Sequence, residues 1–262
     1  MSLDERTVVV DRADTLFSSS TRRGFLRAMG VGGSIVLLPS LFAACEDNST
    51  NPGGGTTNLT YTLDLKDDVG ILNYAYALEQ LEAAYYTAAI VSPGFAALNA
   101  AEQEVLTDLQ KHEVIHREWF KKVLDTKAIP AINFNTTTVA SLVANRTVLL
   151  STSQLLEDTG VSAYNGAGKY LTTPAYLLLA GKIVSVEARH AAAIRDIRDG
   201  ANGRLFAGDD VVNVTSGLDV KAEPETVRGS VNGLNVVQGS IAISTQPDAS
   251  KKTADAAAPS PT

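Results

Sequence analysis

Two Glu-x-x-His pairs, each set inside the apolar stripe of a helix-forming segment, constrain this chain more than any other feature. One stripe reads Leu106, Leu109, Glu113, His116, Phe120, Val123, and a later one reads Ala180, Ile183, Glu187, His190, Ile194, Ile197. The spacing alternates three and four residues, which keeps every member of a stripe on one helix face. Both Glu and both His are therefore expected to point into a helical core. Two other segments carry a Glu followed seven residues later by a Tyr: Glu79 with Tyr86, and Glu157 with Tyr164. Two helical turns separate each pair, so Glu and Tyr again share a face. In chain order the pattern is Glu-x6-Tyr, Glu-x-x-His, and then the same again. It reads as a duplicated helix pair folded about a pseudo-twofold axis.

The segments that carry these motifs span about 67–91, 100–126, 139–171 and 174–200. The first ends before Ser92-Pro93-Gly94, the second has Pro130 beyond it, and the third carries a break near Asn145. The fourth follows Thr172-Thr173-Pro174, a cap with a first-turn proline. Long helices joined by short to medium connections, with no strand-rich block between them, predict an all-α, antiparallel four-helix bundle over 66–200. A less regular C-terminal extension, 201–244, is expected to pack on it, with a short strand at 211–214 and a short helix at 224–231. Residues 245–262, rich in Ala, Pro, Ser and Thr, are expected to be disordered.

Four carboxylates in a helical core would cost several kcal/mol each without partners. Two divalent cations carry the charge that balances Glu79, Glu113, Glu157 and Glu187, and neutral His116 and His190 would complete the shell. A Glu from each of two helices plus Glu-x-x-His from each of the other two is a donor set of dimetal carboxylate bundles. Carboxylate and imidazole suit iron or manganese better than copper(I), which prefers sulfur. The chain has a single Cys, which excludes an internal disulfide, a Cys-based zinc site and a cysteine-ligated iron–sulfur cluster. With 22 Lys+Arg against 29 Asp+Glu the net charge is −7, so no nucleic-acid partner is expected.

The chain resembles the ferritin-like superfamily, and more closely its exported bacterial branch related to desiccation-associated proteins. The residues that carry the likeness are the run from Ala77 to Tyr86, Glu113-Val114-Ile115-His116, the run from Leu156 to Tyr164, and Glu187-Ala188-Arg189-His190. Weaker likeness continues through Gly217-Leu218-Asp219 and Pro224-Glu225-Thr226-Val227. The resemblance implies a carboxylate-bridged centre of two Fe or Mn ions. Glu113 and Glu187 would bridge, Glu79 and Glu157 would be terminal, and His116 and His190 would each hold one ion. All six positions are filled, but the Cys pairs of a rubredoxin-type electron-transfer module are missing.

Around these six, Glu82 lies one turn after Glu79 on the same face, where the third segment has Gly160. It reads as a seventh, mobile carboxylate or as a supporting or solvent-directed group. Tyr86 and Tyr164 read as partners of a ligand carboxylate close to the metals, or as core aromatics with satisfied hydroxyls. Tyr85 and Trp119 are expected to pack. His112, off the stripe, is expected at the surface or an interface, not as a ligand. Arg189 and Asp158 are expected either to orient the site's His and Glu or to form a solvated pair.

The N-terminal 44 residues read as an address. Arg22 and Arg23 before Gly24-Phe25-Leu26 resemble a twin-arginine export signal, and an apolar stretch leads to Leu41-Phe42-Ala43-Ala44-Cys45, which resembles a bacterial lipobox with Cys45 lipidated. Residues 45–65, with Asn51-Pro52-Gly53-Gly54-Gly55, then form a tether. The expected partners are metal ions, the twin-arginine export machinery and a membrane reached through the lipid, with the protein facing the periplasm or cell exterior. A homo-oligomer is compatible with the sequence. The expected function is a dimetal redox protein that reduces oxygen or peroxide. The alternative is a stress- or desiccation-related structural or interaction protein with a structural or vestigial metal site.

Overall fold

The computed structural model describes residues 59–200 and 203–251. Arg22, Arg23 and Cys45 lie outside them. The described chain is an all-α bundle: α1 (Asp68–Ala89), α2 (Pro93–Ala96), α3 (Ala100–Leu124), α4 (Thr136–Leu142), α5 (Arg146–Ala167), α6 (Pro174–Arg198) and α7 (Pro224–Gly233). Two short strands, β1 (Thr60–Asp64) and β2 (Ser240–Thr245), pair in parallel with Thr60 opposite Ser240. The four long helices α1, α3, α5 and α6 form two hairpins, α1 against α3 and α5 against α6. Among the described residues, no helix is long and apolar enough to cross a membrane.

Local chemistry sets the helix ends. Asp67 caps α1 by accepting from the Gly70 amide at 3.0 Å. Asn99 and Glu102 form a reciprocal capping box at the start of α3. The third segment is interrupted: α4 stops at Leu142, and Asn145 restarts the chain as the cap of α5. At the start of α6, Thr173 makes no side-chain cap bond. The Asp68 carboxylate of α1 instead fixes the chain that enters the helix, accepting from the Thr172 and Thr173 amides at 2.8 Å each. This contact also ties the second hairpin to the first.

Helix α1 is buried continuously from 70 to 83. A helix apolar only on one stripe could not tolerate that, and α1 carries Leu, Ala and Tyr all round. Its two buried amides, Asn73 and Gln80, each accept from a backbone amide of the long connection between α3 and α4 through the side-chain oxygen. The Ile129 amide donates to Asn73 Oδ1 at 2.7 Å, and the Ile132 amide donates to Gln80 Oε1 at 2.9 Å.

The C-terminal extension covers the bundle's flank. Val227, Val231, Val236, Val237 and Ile241 share one apolar core with Leu78, Leu81 and Leu156. The Ala222 amide donates to Ser162 of α5 at 2.9 Å, and the approach needs Gly166, where a Cβ would meet the Ala222 carbonyl oxygen at 1.8 Å. Three expectations are corrected here. Residues 60–64, read as the end of a tether, are a strand because Leu63 and Leu65 are buried and the ladder to β2 satisfies the backbone. Thr245, read as the start of a disordered tail, still belongs to that ladder, with the Leu65 amide donating to its carbonyl at 3.0 Å. Residues 211–214 make only an isolated bridge, Val212 to Asp219.

Arg195 of α6 anchors the loop after that helix. Only 2% of it is exposed, and its guanidinium donates in fork fashion to both oxygens of Asp158 (2.8 and 2.7 Å) and both of Asp210 (3.1 and 2.7 Å). Arg195→Met should cost about 2–3 kcal/mol in urea denaturation, below the full loss for a broken buried pair because Asp210 remains hydrated. An unchanged midpoint would mean the clamp contributes nothing to the fold.

Candidate metal centre

The duplicated motifs converge. Glu79 of α1, Glu113 of α3, Glu157 of α5 and Glu187 of α6 are all fully buried, and His190 is 3% exposed. His116 Nδ1 lies 3.3 Å from Glu79 Oε2, 3.4 Å from Glu113 Oε2 and 2.9 Å from Glu187 Oε1. His190 Nδ1 lies 2.8 Å from Glu113 Oε1, 3.4 Å from Glu157 Oε2 and 3.7 Å from Glu187 Oε2. Two four-donor sets result, Glu79–Glu113–His116–Glu187 and Glu113–Glu157–Glu187–His190, each with its atoms within 4.8 Å of one another. Glu113 and Glu187 belong to both sets and give a different oxygen to each. Glu79 and Glu157 belong to one set each.

The tyrosines exchange between the duplicated halves. Tyr86 of α1 donates to Glu157 Oε1 at 2.6 Å, and Tyr164 of α5 donates to Glu79 Oε1. Each terminal Glu thus has one oxygen satisfied by the opposite helix and the other directed at a His Nδ1. That is the physical content of the Glu-x6-Tyr spacing. Burial, with the neighbouring Glu second, holds both phenols well above the usual tyrosine range, so they remain donors. Tyr85 donates to the Leu149 carbonyl at 2.8 Å and packs edge-on to Tyr86. Trp119 packs edge-on to Phe120.

The residues fit a cation pair on a test internal to the structure. Eight buried donor atoms of the cluster make no hydrogen bond: Glu79 Oε2, both oxygens of Glu113 and of Glu187, Glu157 Oε2, and Nδ1 of His116 and His190. They approach one another closely without hydrogen-bond geometry. At about 1–3 kcal/mol per unsatisfied buried polar atom, their summed cost rivals the net stability of a whole domain. Protons or cations must offset it.

Without cations, protons do so. Burial, aided by Glu187, pushes Glu113 up to about 8 against the pull of both His, and burial pushes Glu157 up to about 7. Burial and the surrounding carboxylates raise Glu82 far above the usual range. Burial would lower His190, but Glu113, Glu157 and Glu187 raise it to about 12, and His116 is raised in the same way. Burial opposes ionisation of Glu187 too, yet the two His hold it down at about 2.

Glu82 is 3% exposed, and Gly160 faces it from α5: a Cβ there would lie 3.0 Å from Glu82 Oε1 and 3.7 Å from Glu187 Oε2. The structure therefore brings Glu82 against the cluster rather than turning it to solvent. His112 remains at the surface, as its position off the stripe implies, but its Nδ1 lies 2.9 Å from His190 Nε2. When His190 Nδ1 is kept free for a cation, Nε2–H donates outward to His112, fixing tautomer and ring orientation. The sequence carried a faint signal of this, since His112 stands one turn before His116. Asp158 does not pair with Arg189, which donates to its own helix at the Ser185 carbonyl; the partner of Asp158 is Arg195. Arg195 stands beside the stripe residue Ile194, which marks the edge of the buried face, but nothing in the sequence marked Asp210.

A family model described as a ferritin-like domain matches residues 67–199. No curated protein and no solved structure matches the chain.

Proposed function

The chain belongs to the ferritin-like domain family, and from that premise we propose that its buried cluster holds two iron or manganese ions and reduces dioxygen or peroxide. The observation that carries this reading is the pair of four-donor sets sharing Glu113 and Glu187 through separate oxygens. When bound, a pair of divalent ions supplies two electrons, the number that takes one hydrogen peroxide to two waters with two protons.

The chain's own residues do the rest. Glu113 and Glu187 hold the two positions together, and Glu79 with His116 and Glu157 with His190 close the two ends. Tyr86 and Tyr164 keep a proton on their hydroxyls while orienting the terminal carboxylates. His112 fixes the His190 ring. The packed core around the fully buried carboxylates limits bulk water in the reacting region, which strengthens every charge interaction there.

The proposed export is consistent with this function. A twin-arginine signal at Arg22 and Arg23 carries folded cargo, so ions could be inserted before translocation, and lipidated Cys45 would hold the body at a membrane facing the periplasm or cell exterior.

Metal analysis by mass spectrometry after anaerobic loading, together with an oxygen electrode, tests the proposal. We expect about two Fe or Mn per chain and oxidant consumption, both lost in a Glu113→Ala/His116→Ala variant. Fewer than about one ion per chain rejects the dimetal centre. Full loading without consumption of oxygen or peroxide rejects the redox role and leaves a structural metal site.

A further inference from the structure

We propose that the cavity between α7 and the seam of α1 and α5 is a binding and access site through which a small uncharged oxygen species, dioxygen or hydrogen peroxide, reaches the carboxylate cluster. The proposal rests on the function proposed above. The cavity measures about 80 Å³, well above the ~10–15 Å³ that a single water needs. Its walls are apolar, with Leu81 from α1, Leu156 from α5 and Val231 from α7. Such walls disfavour an ion, which would lose its hydration without compensation, and accept an uncharged diatomic, while a peroxide needs the polar groups Glu82, Thr159 and Ser230 that also line the cavity.

The two ends of the cavity differ. At the outer end Leu155, Ser230 and Gly233 are solvent-exposed and form a mouth. At the inner end lie Glu82 and Gly160. The duplicated pattern makes these two counterparts, each one turn after a terminal Glu. Where α1 places a carboxyl, α5 places no side chain at all. A methyl at Gly160 would stand 3.0 Å from Glu82 Oε1 and 3.7 Å from Glu187 Oε2. The missing side chain therefore leaves the cavity's inner end in contact distance of a carboxylate common to both donor sets. Glu82, the polar group at that end, offers a hydrogen-bonding partner to an incoming peroxide. The outer wall belongs to the C-terminal extension, so the extension has a use beyond covering apolar surface.

Xenon is a suitable probe, because it occupies apolar cavities without needing polar partners. Crystals of the metal-free full chain pressurised with xenon should show an anomalous peak between Leu81, Leu156 and Val231. Two mouth variants, Ser230→Trp and Gly233→Leu, should remove it. Ser230 is exposed, and a Cβ at Gly233 meets nothing within 4 Å, so both variants should fold, which an unchanged melting temperature checks. In the metal-loaded chain the same variants should raise the oxidant concentration for half-maximal consumption by about tenfold, with maximal rate and metal content unchanged. No xenon peak in the unaltered chain overturns the proposal. So does unchanged oxidant dependence in both variants, which leaves the redox function standing. Full metal loading with xenon bound but no oxidant consumed overturns the function and the access role together.

Discussion

Loading the metal-free protein with Fe(II) or Mn(II) at pH 8 is expected to raise its melting temperature by about 10 °C, from ~4 kcal/mol of binding at ion concentrations a thousandfold above Kd and ~2–4 °C per kcal/mol for a body of this size. The gap should narrow at pH 5. Glu113 and Glu157, at about 8 and 7 in the metal-free fold, lie above the ordinary value of 4.5. Groups raised in this way stabilise the fold fully below 4.5 and lose that contribution as pH climbs through their folded values. His190, raised from 6.5 to about 12, adds a loss that begins above 6.5. Glu187 at about 2 keeps its contribution constant above 4.5 and loses it only in stronger acid. His112, held below its usual range by burial and then by the neighbouring His190, works the other way, but the raised carboxyls and His190 outnumber it, so the metal-free form should weaken overall as pH rises from 5 to 8. Cations replace the protons, so apparent metal affinity should rise over the same interval. Calorimetry at both pH values, with and without metal, checks this; a metal-free melting temperature that rises from pH 5 to 8 would contradict it.

Carboxamide replacements should separate shared from unshared ligands. Glu113→Gln turns the oxygen given to one donor set into an amide nitrogen and leaves the other set an uncharged carbonyl oxygen, so both positions should weaken by more than about a hundredfold and metal content should fall towards zero. Glu79→Gln touches only the His116 set and Glu157→Gln only the His190 set, so each should retain one ion. Without metal the sign reverses for Glu113→Gln. A neutral amide does not suffer the burial penalty that opposes ionisation of Glu113, so the variant should melt above the unaltered protein at pH 8. Equal metal loss in all three variants would show that the carboxylates do not divide into shared and terminal roles.

The bundle and the convergence of its six acidic and imidazole groups were legible because a 3-4 periodicity fixes which face a residue occupies, and burial of that face follows from its apolar neighbours. Leu106, Glu113 and Phe120 illustrate it, all at 1% exposure or less. The break expected near Asn145 is present, and the structure gives its reason: the Asn145 side chain caps α5. What the pattern did not carry is contact between elements distant in sequence. His112 meets His190 because α3 and α6 are adjacent at that level, and no single-helix rule states that. Arg195 finds Asp210 across an irregular loop with no period to read. The β1–β2 pair escaped for the same reason: Thr60–Asp64 alternates polar and apolar residues over only five positions, and its partner lies at the other end of the described chain. Gly160 was visible as a gap in the duplication, but the space it opens depends on α7.

The pairing of β1 with β2 has a consequence for how the molecule is made. A strand whose partner among the described residues follows all four bundle helices in the chain cannot pair until those helices have been made, so the long-range ladder should be a late event, after the local hairpins of the bundle. A product truncated before Ser240 would leave β1 as a bare edge with Leu63 and Leu65 uncovered. Such an edge is a template for aggregation. The ladder thus acts as a clasp that closes only after the helices between its two strands are in place.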